Sequence, residues 1–255
     1  MRAVRHRIVV AALAAAITVT AACSAAEQRS SAALGASEEV AFSTSDGVRL
    51  AGRVFGDPAA PAPAGIVLAH MLPSDQSSWF DDAIRYAGAG YLVLTFNLRG
   101  YCPGGDAGCS EGVKAPEAAG VDLAAAVAYI RSRGVQRVGV LGASIGGTAA
   151  LVVAASEGQG VDAIITLSAP AAVGGLLAGP DTVARITAAK LFLAGIGDGS
   201  AAATAEAFYN QAGQPKRFEI LSSDDHGTDM LTGSASGRVR DLMDLWLLTH
   251  LPVAP

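Results

Sequence analysis

The chain is poor in the residues that build metal and redox centres: among its 255 residues there are three cysteines and four histidines. Cys102 and Cys109 share the short loop CPGGDAGC, which offers too few further ligands to complete a zinc site, so no metal is expected there. Positive charge is also scarce, with 18 Lys and Arg against 23 Asp and Glu. Nucleic acid is therefore a poor partner, because holding a phosphate backbone requires a basic face. The apolar run nearest in length to a membrane span, Ile8 to Ala22, has fifteen residues, short of the roughly 20 that a spanning helix needs. No internal repeat is visible, which sets aside a stacked-repeat architecture.

What the N-terminus does contain is Arg2, Arg5 and Arg7, then the Ile8 to Ala22 run, then Cys23. That is the layout of a signal peptide over residues 1–22. Thr20-Ala21-Ala22-Cys23 resembles a bacterial lipobox, which implies lipidation of Cys23, a membrane-anchored extracytoplasmic protein, and a polar Ala/Ser-rich tether over residues 23–37. Secretion after cleavage at a nearby small-residue site is the alternative. Removing residues 1–22 takes away three arginines and no acid, which moves the formal charge from −5 to −8. Outside the cytoplasm Cys102 and Cys109 read as a disulfide, with two free thiols as the alternative. Closing so small a loop contributes at most about 2 to 3 kcal/mol, so its role is local shape.

Residues 38–255 form a body long enough for one sizeable core and too short for two typical α/β domains. Glu38 to Gly56 reads as a hairpin around Ser45-Asp46-Gly47, and Pro58 to Pro63 as a linker. Gly65–His70, Tyr91–Phe96, the strand ending at Leu141, Val161–Leu167 and Lys190–Gly195 are apolar runs of the kind that build a parallel sheet buried on both faces, and Lys216–Leu221, KRFEIL, reads as the last strand. Helices are expected between them. One covers Ser78 to Ala87, burying Trp79, Ile84 and Ala87, and one covers Pro116 to Arg133, burying Val121, Ala125, Ala128 and Tyr129. The others cover Ala172 to Ala188 with a break, Ala201 to Gln211, and Gly237 to His250. This alternation predicts an α/β fold with a doubly wound, mostly parallel sheet of about eight strands.

Gly142-Ala143-Ser144-Ile145-Gly146 joins the Val138–Leu141 strand to a Gly- and Pro-free segment, Thr148 to Ala155. This is G-x-S-x-G at a strand-to-helix turn, where glycines remove the Cβ atoms that would collide and the serine is pushed out at the top of the sheet. A Gly-rich junction with an ordinary serine is the bland alternative. A serine hydroxyl needs a base, usually a histidine oriented by a carboxylate. His6 goes with the signal peptide and His250 lies near the end of the last helix, which leaves His70 and His226. His226, in SSDDHGTDM after the last strand, is the candidate base. Asp198, just past KLFLAG, is the candidate carboxylate; it could instead cap the next helix. Asp224 and Asp225 compete for the role, but as sequence neighbours of His226 they would have difficulty turning back onto its ring.

Three marks, GASIGG, LAHMLPSD and FNLRGYCPGG, carry a resemblance to bacterial α/β-hydrolase-fold serine hydrolases of the dienelactone-hydrolase-like or esterase type, over roughly Val40 to Leu251. The resemblance implies an α/β-hydrolase fold and cleavage of a small-molecule ester by Ser144, Asp198 and His226, without cofactor or metal. It also implies an oxyanion hole made by the Met71 and Ile145 backbone amides, with His70 a structural loop residue. Met71 stands where the family commonly has Gly, which narrows the pocket. Asn97 stands for Asp and Cys102 for Gly in the family's Asp-x-Arg-Gly-x-Gly turn, where Arg99 braces loops or, alternatively, clamps a substrate carboxylate. Dienelactone hydrolases proper use a cysteine nucleophile, which puts that activity in doubt here. Nineteen residues lie between Pro170 and Lys190, too few for a full cap. A lipid-anchored binding protein that keeps the fold without turnover is the reading from a different functional class.

Overall fold

In the computed structural model, which describes Leu34 and residues 37–57 and 63–253, eight strands form one sheet in the order β1-β2-β4-β3-β5-β6-β9-β10. They are β1 (Ser37–Ser43), β2 (Arg49–Phe55), β3 (Ala64–Ala69), β4 (Leu92–Phe96), β5 (Arg137–Ala143), β6 (Val161–Leu167), β9 (Ala189–Gly195) and β10 (Lys216–Leu221). From β4 through β10 the pairing is parallel, and β2 joins β4 antiparallel. The segment expected to be a signal peptide, Cys23 and most of the expected tether lie outside the described residues.

Every residue of β3 and β4 is buried, as their unbroken apolar runs require. In β5, Val138 and Val140 enter a cluster with residues from α2 (Ala119–Ser132), α3 (Ile145–Ala154) and α5 (Ala201–Gln211). Between them, Gly139 faces Leu247 and Leu251 at the end of α6 (Ser236–His250), where a Cβ would come within 2.7 Å of Leu251. On that other face α6 lies against α1 (Phe80–Gly88), joined through Arg85 to Asp244 at 2.6 Å and Arg240 to Asp82 at 2.9 Å.

The chain leaves β3 toward β4 and returns past it to β5. The loops after β3 and β5 therefore diverge at adjacent strand ends, the switch point outside whose carboxyl edge open α/β sheets bind their ligands.

Three expectations are corrected. The segment 172–188 is not a broken helix: β7 (Ala172–Val173) and β8 (Leu176–Leu177) form a small antiparallel ribbon, followed by the five-residue helix α4 (Pro180–Ala184). Gly174 and Gly175 both have positive φ, 53° and 92°, the backbone that a two-residue hairpin turn requires. In α2, the expected stripe of Val121, Ala125, Ala128 and Tyr129 is not the buried one. Val121 is 36 % exposed, and Leu123, Ala126, Val127 and Ile130 face the core. An Ala-rich helix has weak apolar direction, and here Asp122 sets its rotation by bonding Arg99 beneath it. In α1, similarly, Ala83 and Tyr86 are buried with Trp79, whereas Ile84 and Ala87 are half-buried, because Asp82 turns inward to Arg240.

Candidate active site

Ser144 sits between β5 and α3 with φ 49° and ψ −117°, a conformation that costs a non-glycine residue on the order of 1 to 3 kcal/mol and persists only when its surroundings impose it. They do so here. A Cβ on Gly142 would lie 2.2 Å from Gly146 O, and one on Gly146 would lie 2.4 Å from Ala69 O of β3. A Cβ on Gly147 would lie 2.8 Å from Ala169 Cβ, so α3 packs tightly beside the end of β6. Ser144 N–H donates to Leu167 O at 2.8 Å, and Thr148 Oγ1 donates to Pro170 O at 2.7 Å, which fastens the turn on both sides.

Past β9 and β10 the parallel pairing continues, with Ile196 N–H donating to Leu221 O at 2.8 Å and Gly197 N–H to Ser223 O at 3.1 Å. These bonds align the two loops so that His226 Nδ1 lies 2.8 Å from Asp198 Oδ2 and 3.0 Å from Oδ1. The two other candidate carboxylates point elsewhere. Asp224 packs on Gly197, where a Cβ would meet its Oδ1 at 1.7 Å, and Asp225 accepts from Ser223 Oγ and lies against Gly233. After His226, Gly227 at φ 58° presses on Met71 and Ala143: a Cβ there would come 2.5 Å from Met71 Sδ and 3.4 Å from Ala143 Cβ. The histidine loop, the loop after β3 and the turn carrying Ser144 thus meet at one place. Ser144 Oγ and His226 Nε2 make no hydrogen bond among the described residues.

The Met71 and Ile145 amides also lack partners among the described residues, although both residues are buried. Ile145 is the first residue of α3, so its N–H is one of those a helix leaves open. Met71 is held by its carbonyl, which accepts from His70 Nδ1 at 2.8 Å and Ser74 Oγ at 3.1 Å. His70 Nε2 accepts from Leu98 N–H at 3.0 Å. Its ring is therefore a neutral strut between the loops after β3 and β4, as expected for a structural histidine.

Burial pushes His70 down from 6.5 to about 4, outweighing the bond to Met71 O that favours the charged form. A depressed histidine stabilises the fold above its unfolded pKa. The contribution disappears as pH falls from 6.5 toward 4, where the unfolded chain binds a proton that the folded ring refuses. On the order of 3 kcal/mol should be lost across that window. Urea midpoints at pH 7 and pH 4.5 should fall further apart in wild type than in His70→Asn; parallel profiles would refute the strut.

Arg99 is a brace. Its Nη1 and Nη2 donate to Asp46 at 2.7 and 3.0 Å, and its Nε donates to Asp122 at 2.8 Å. All of these tie the turn between β1 and β2 to α2, and leave no clamp for a substrate carboxylate. Cys102 and Cys109 are bonded, as expected. His250 ends α6 with its ring 4.1 Å from that of Trp246. Among the described residues no cluster of His, Cys, Asp and Glu could hold a metal ion.

Ser168 was not anticipated. It follows β6 with φ 53°, is buried, and its Oγ lies 3.5 Å from Met230 Sδ in the 3-10 helix (Gly227–Leu231) after His226. No local pattern distinguishes it, because its backbone is imposed by the neighbouring strand: Ser168 N–H donates to Leu193 O at 2.8 Å.

Residues 66–236 match the family described by the alpha/beta hydrolase fold, more than half of the chain, and the chain belongs to that family. No curated protein matches it in sequence. Among solved structures, an esterase of Pyrococcus furiosus is similar with a TM-score of 0.68 and 16% identity, covering 84% of this chain and 92% of that one. The enol-lactonase of Burkholderia xenovorans is similar with a TM-score of 0.66 and 16% identity, over 82% and 99% of the two chains. A dienelactone hydrolase of Anabaena variabilis gives 0.66 and 21% identity, over 85% and 99%. In this chain the alpha/beta hydrolase fold is an eight-stranded, mostly parallel sheet flanked by helices, with no large cap among the described residues.

Proposed function

We propose that the protein is a serine hydrolase that cleaves ester-type bonds of small or exposed acyl substrates. The observation that carries this reading is one juxtaposition: Ser144 held at φ 49° at the sheet edge where His226 is hydrogen-bonded to Asp198. Ser144 Oγ attacks the substrate carbonyl while His226 Nε2 takes its proton, and Asp198 holds the ring by Nδ1–H and balances the imidazolium. The tetrahedral oxyanion is met by the Met71 and Ile145 amides, each a donor of a kind worth about 3 to 4 kcal/mol. Collapse expels the alcohol, which leaves with the proton from His226. Water then attacks the acyl-enzyme by the same route in reverse. That the structurally similar proteins include esterases and lactonases supports the choice of ester over other carbonyl substrates.

The short ribbon and α4 fill the place where a cap would stand, which favours short acyl groups or groups displayed on larger molecules. With Arg99 committed to two carboxylates, acidic substrates gain no anchor there. Labelling by a fluorophosphonate is expected in wild type and absent in Ser144→Ala. Folded protein that takes no label would favour the non-catalytic binding protein instead.

A further inference from the structure

From the same edge of the sheet we infer that Asn97 and Gln76 are positioning residues for the Met71 amide, and that the Cys102–Cys109 disulfide acts on the reaction through them. This rests on the oxyanion role proposed above for Met71. The bonded loop is a small closed unit. Its neck is joined by Ser110 N–H to Tyr101 O at 2.9 Å and its tip by Gly104 N–H to Gly108 O at 3.1 Å, with the disulfide between them. Ala107, inside it, is buried and turns its carbonyl inward. That one oxygen accepts from Asn97 Nδ2 at 2.7 Å and from Gln76 Nε2 at 2.6 Å.

The two amides also hold each other. Asn97 Oδ1 accepts from Gln76 N–H at 2.9 Å, and Gln76 Oε1 accepts from Thr95 Oγ1 at 2.7 Å. Gln76 belongs to the same loop as Met71. The Met71 end of that loop is fixed by His70 and Ser74, and the far end by Asn97 and Ala107.

The geometry explains why an amide stands at position 97. The side chain must accept from Gln76 N–H on one oxygen and donate to Ala107 O with the other group, and a carboxylate can do only the first. Freeing the disulfide loop removes the shared acceptor and leaves two buried N–H donors unpaired, which the loop can relieve only by shifting. A shift there moves Met71 N–H relative to the place where the oxyanion forms. The ground-state ester makes little use of that amide, so the loss falls on the transition state.

The test compares oxidised wild type, wild type reduced by a water-soluble phosphine, Cys102→Ser/Cys109→Ser, Asn97→Asp, and the combined variant. Each is assayed on a short acyl ester and titrated with phenylboronic acid, whose tetrahedral adduct on the serine mimics the oxyanion; circular dichroism checks folding. The expected result is that kcat and boronate affinity fall together, by about tenfold or more, with KM within about twofold. The combined variant should cost no more than the worse single change, since both act through Ala107 O. Turnover unchanged in reduced, folded protein, losses that add, or a fall confined to KM would each overturn the inference. If the cysteine variant fails to fold, reduced wild type and Asn97→Asp still decide. Wild type that takes no fluorophosphonate label would defeat the functional reading itself, whereas labelled wild type indifferent to reduction defeats only this step.

Discussion

Asp198→Asn should lower kcat by about 10⁴ while the protein stays folded, because an amide in that place allows the imidazole the wrong tautomer and leaves its charged form without a partner. The fold explains why this carboxylate is singled out. The loop after β9 and the loop after β10 are zipped by Ile196 to Leu221 and Gly197 to Ser223, so Asp198 reaches His226 from a neighbouring strand end. Asp224 and Asp225 are adjacent to His226 in the chain, and that adjacency aims them elsewhere, one onto Gly197 and the other onto Ser223 and Gly233. Asp224→Asn and Asp225→Asn should each cost less than about tenfold, because neither carboxylate bonds the imidazole and what reaches it is long-range charge. Steady-state kinetics on one short ester decides it. Near-normal turnover in Asp198→Asn, with loss in either neighbour, would reassign the acid while leaving Ser144 and His226 in place.

The parts of this molecule that could be read from the chain are those encoded over a few consecutive residues. Apolar runs marked the central strands β3, β4, β5, β6 and β9, since a strand buried on both faces has no alternative composition; β1 and β2 were legible from the turn at Ser45-Asp46-Gly47, and the glycine spacing around Ser144 marked the turn there. Asp198 was legible only by combining two facts, its place just after a strand and the convergence of such places at one edge. Properties fixed by distant partners were not legible. The rotation of α2 depends on Asp122 meeting Arg99, and Arg99 in turn depends on Asp46 in the first hairpin. The network of Asn97, Gln76 and Ala107 joins three loops, and nothing local distinguishes a buried amide from an exposed one. The ribbon at 172–177 is a different case: its Gly-Gly pair is a hairpin signal, but the alanines and leucines around it suit a helix equally well.

Gly142→Ala and Gly237→Ala make the same chemical change and should move stability in opposite directions. At Gly142 the added methyl would sit 2.2 Å from Gly146 O, 2.3 Å from Gly146 C and 2.5 Å from Gly147 N. All three are backbone atoms, so no rotamer change relieves the contact, and the turn between β5 and α3 has to open. Opening it pulls Gly146 from Ala69, where the β3 backbone already lies 2.4 Å from a virtual Cβ, so the strain spreads into the central strand pair. The expected loss is more than about 4 kcal/mol, in the range reserved for a named steric or packing failure. At Gly237, in the first turn of α6, a Cβ would meet nothing within 4 Å, and the residue is helical. Alanine there narrows the unfolded ensemble and should stabilise by up to about 1 kcal/mol. Urea denaturation of both variants, with fluorophosphonate labelling of whatever folds, separates the two effects. Gly142→Ala of near-wild-type stability would mean that the turn can open without loss, and that the backbone of Ser144 is not imposed by its glycines.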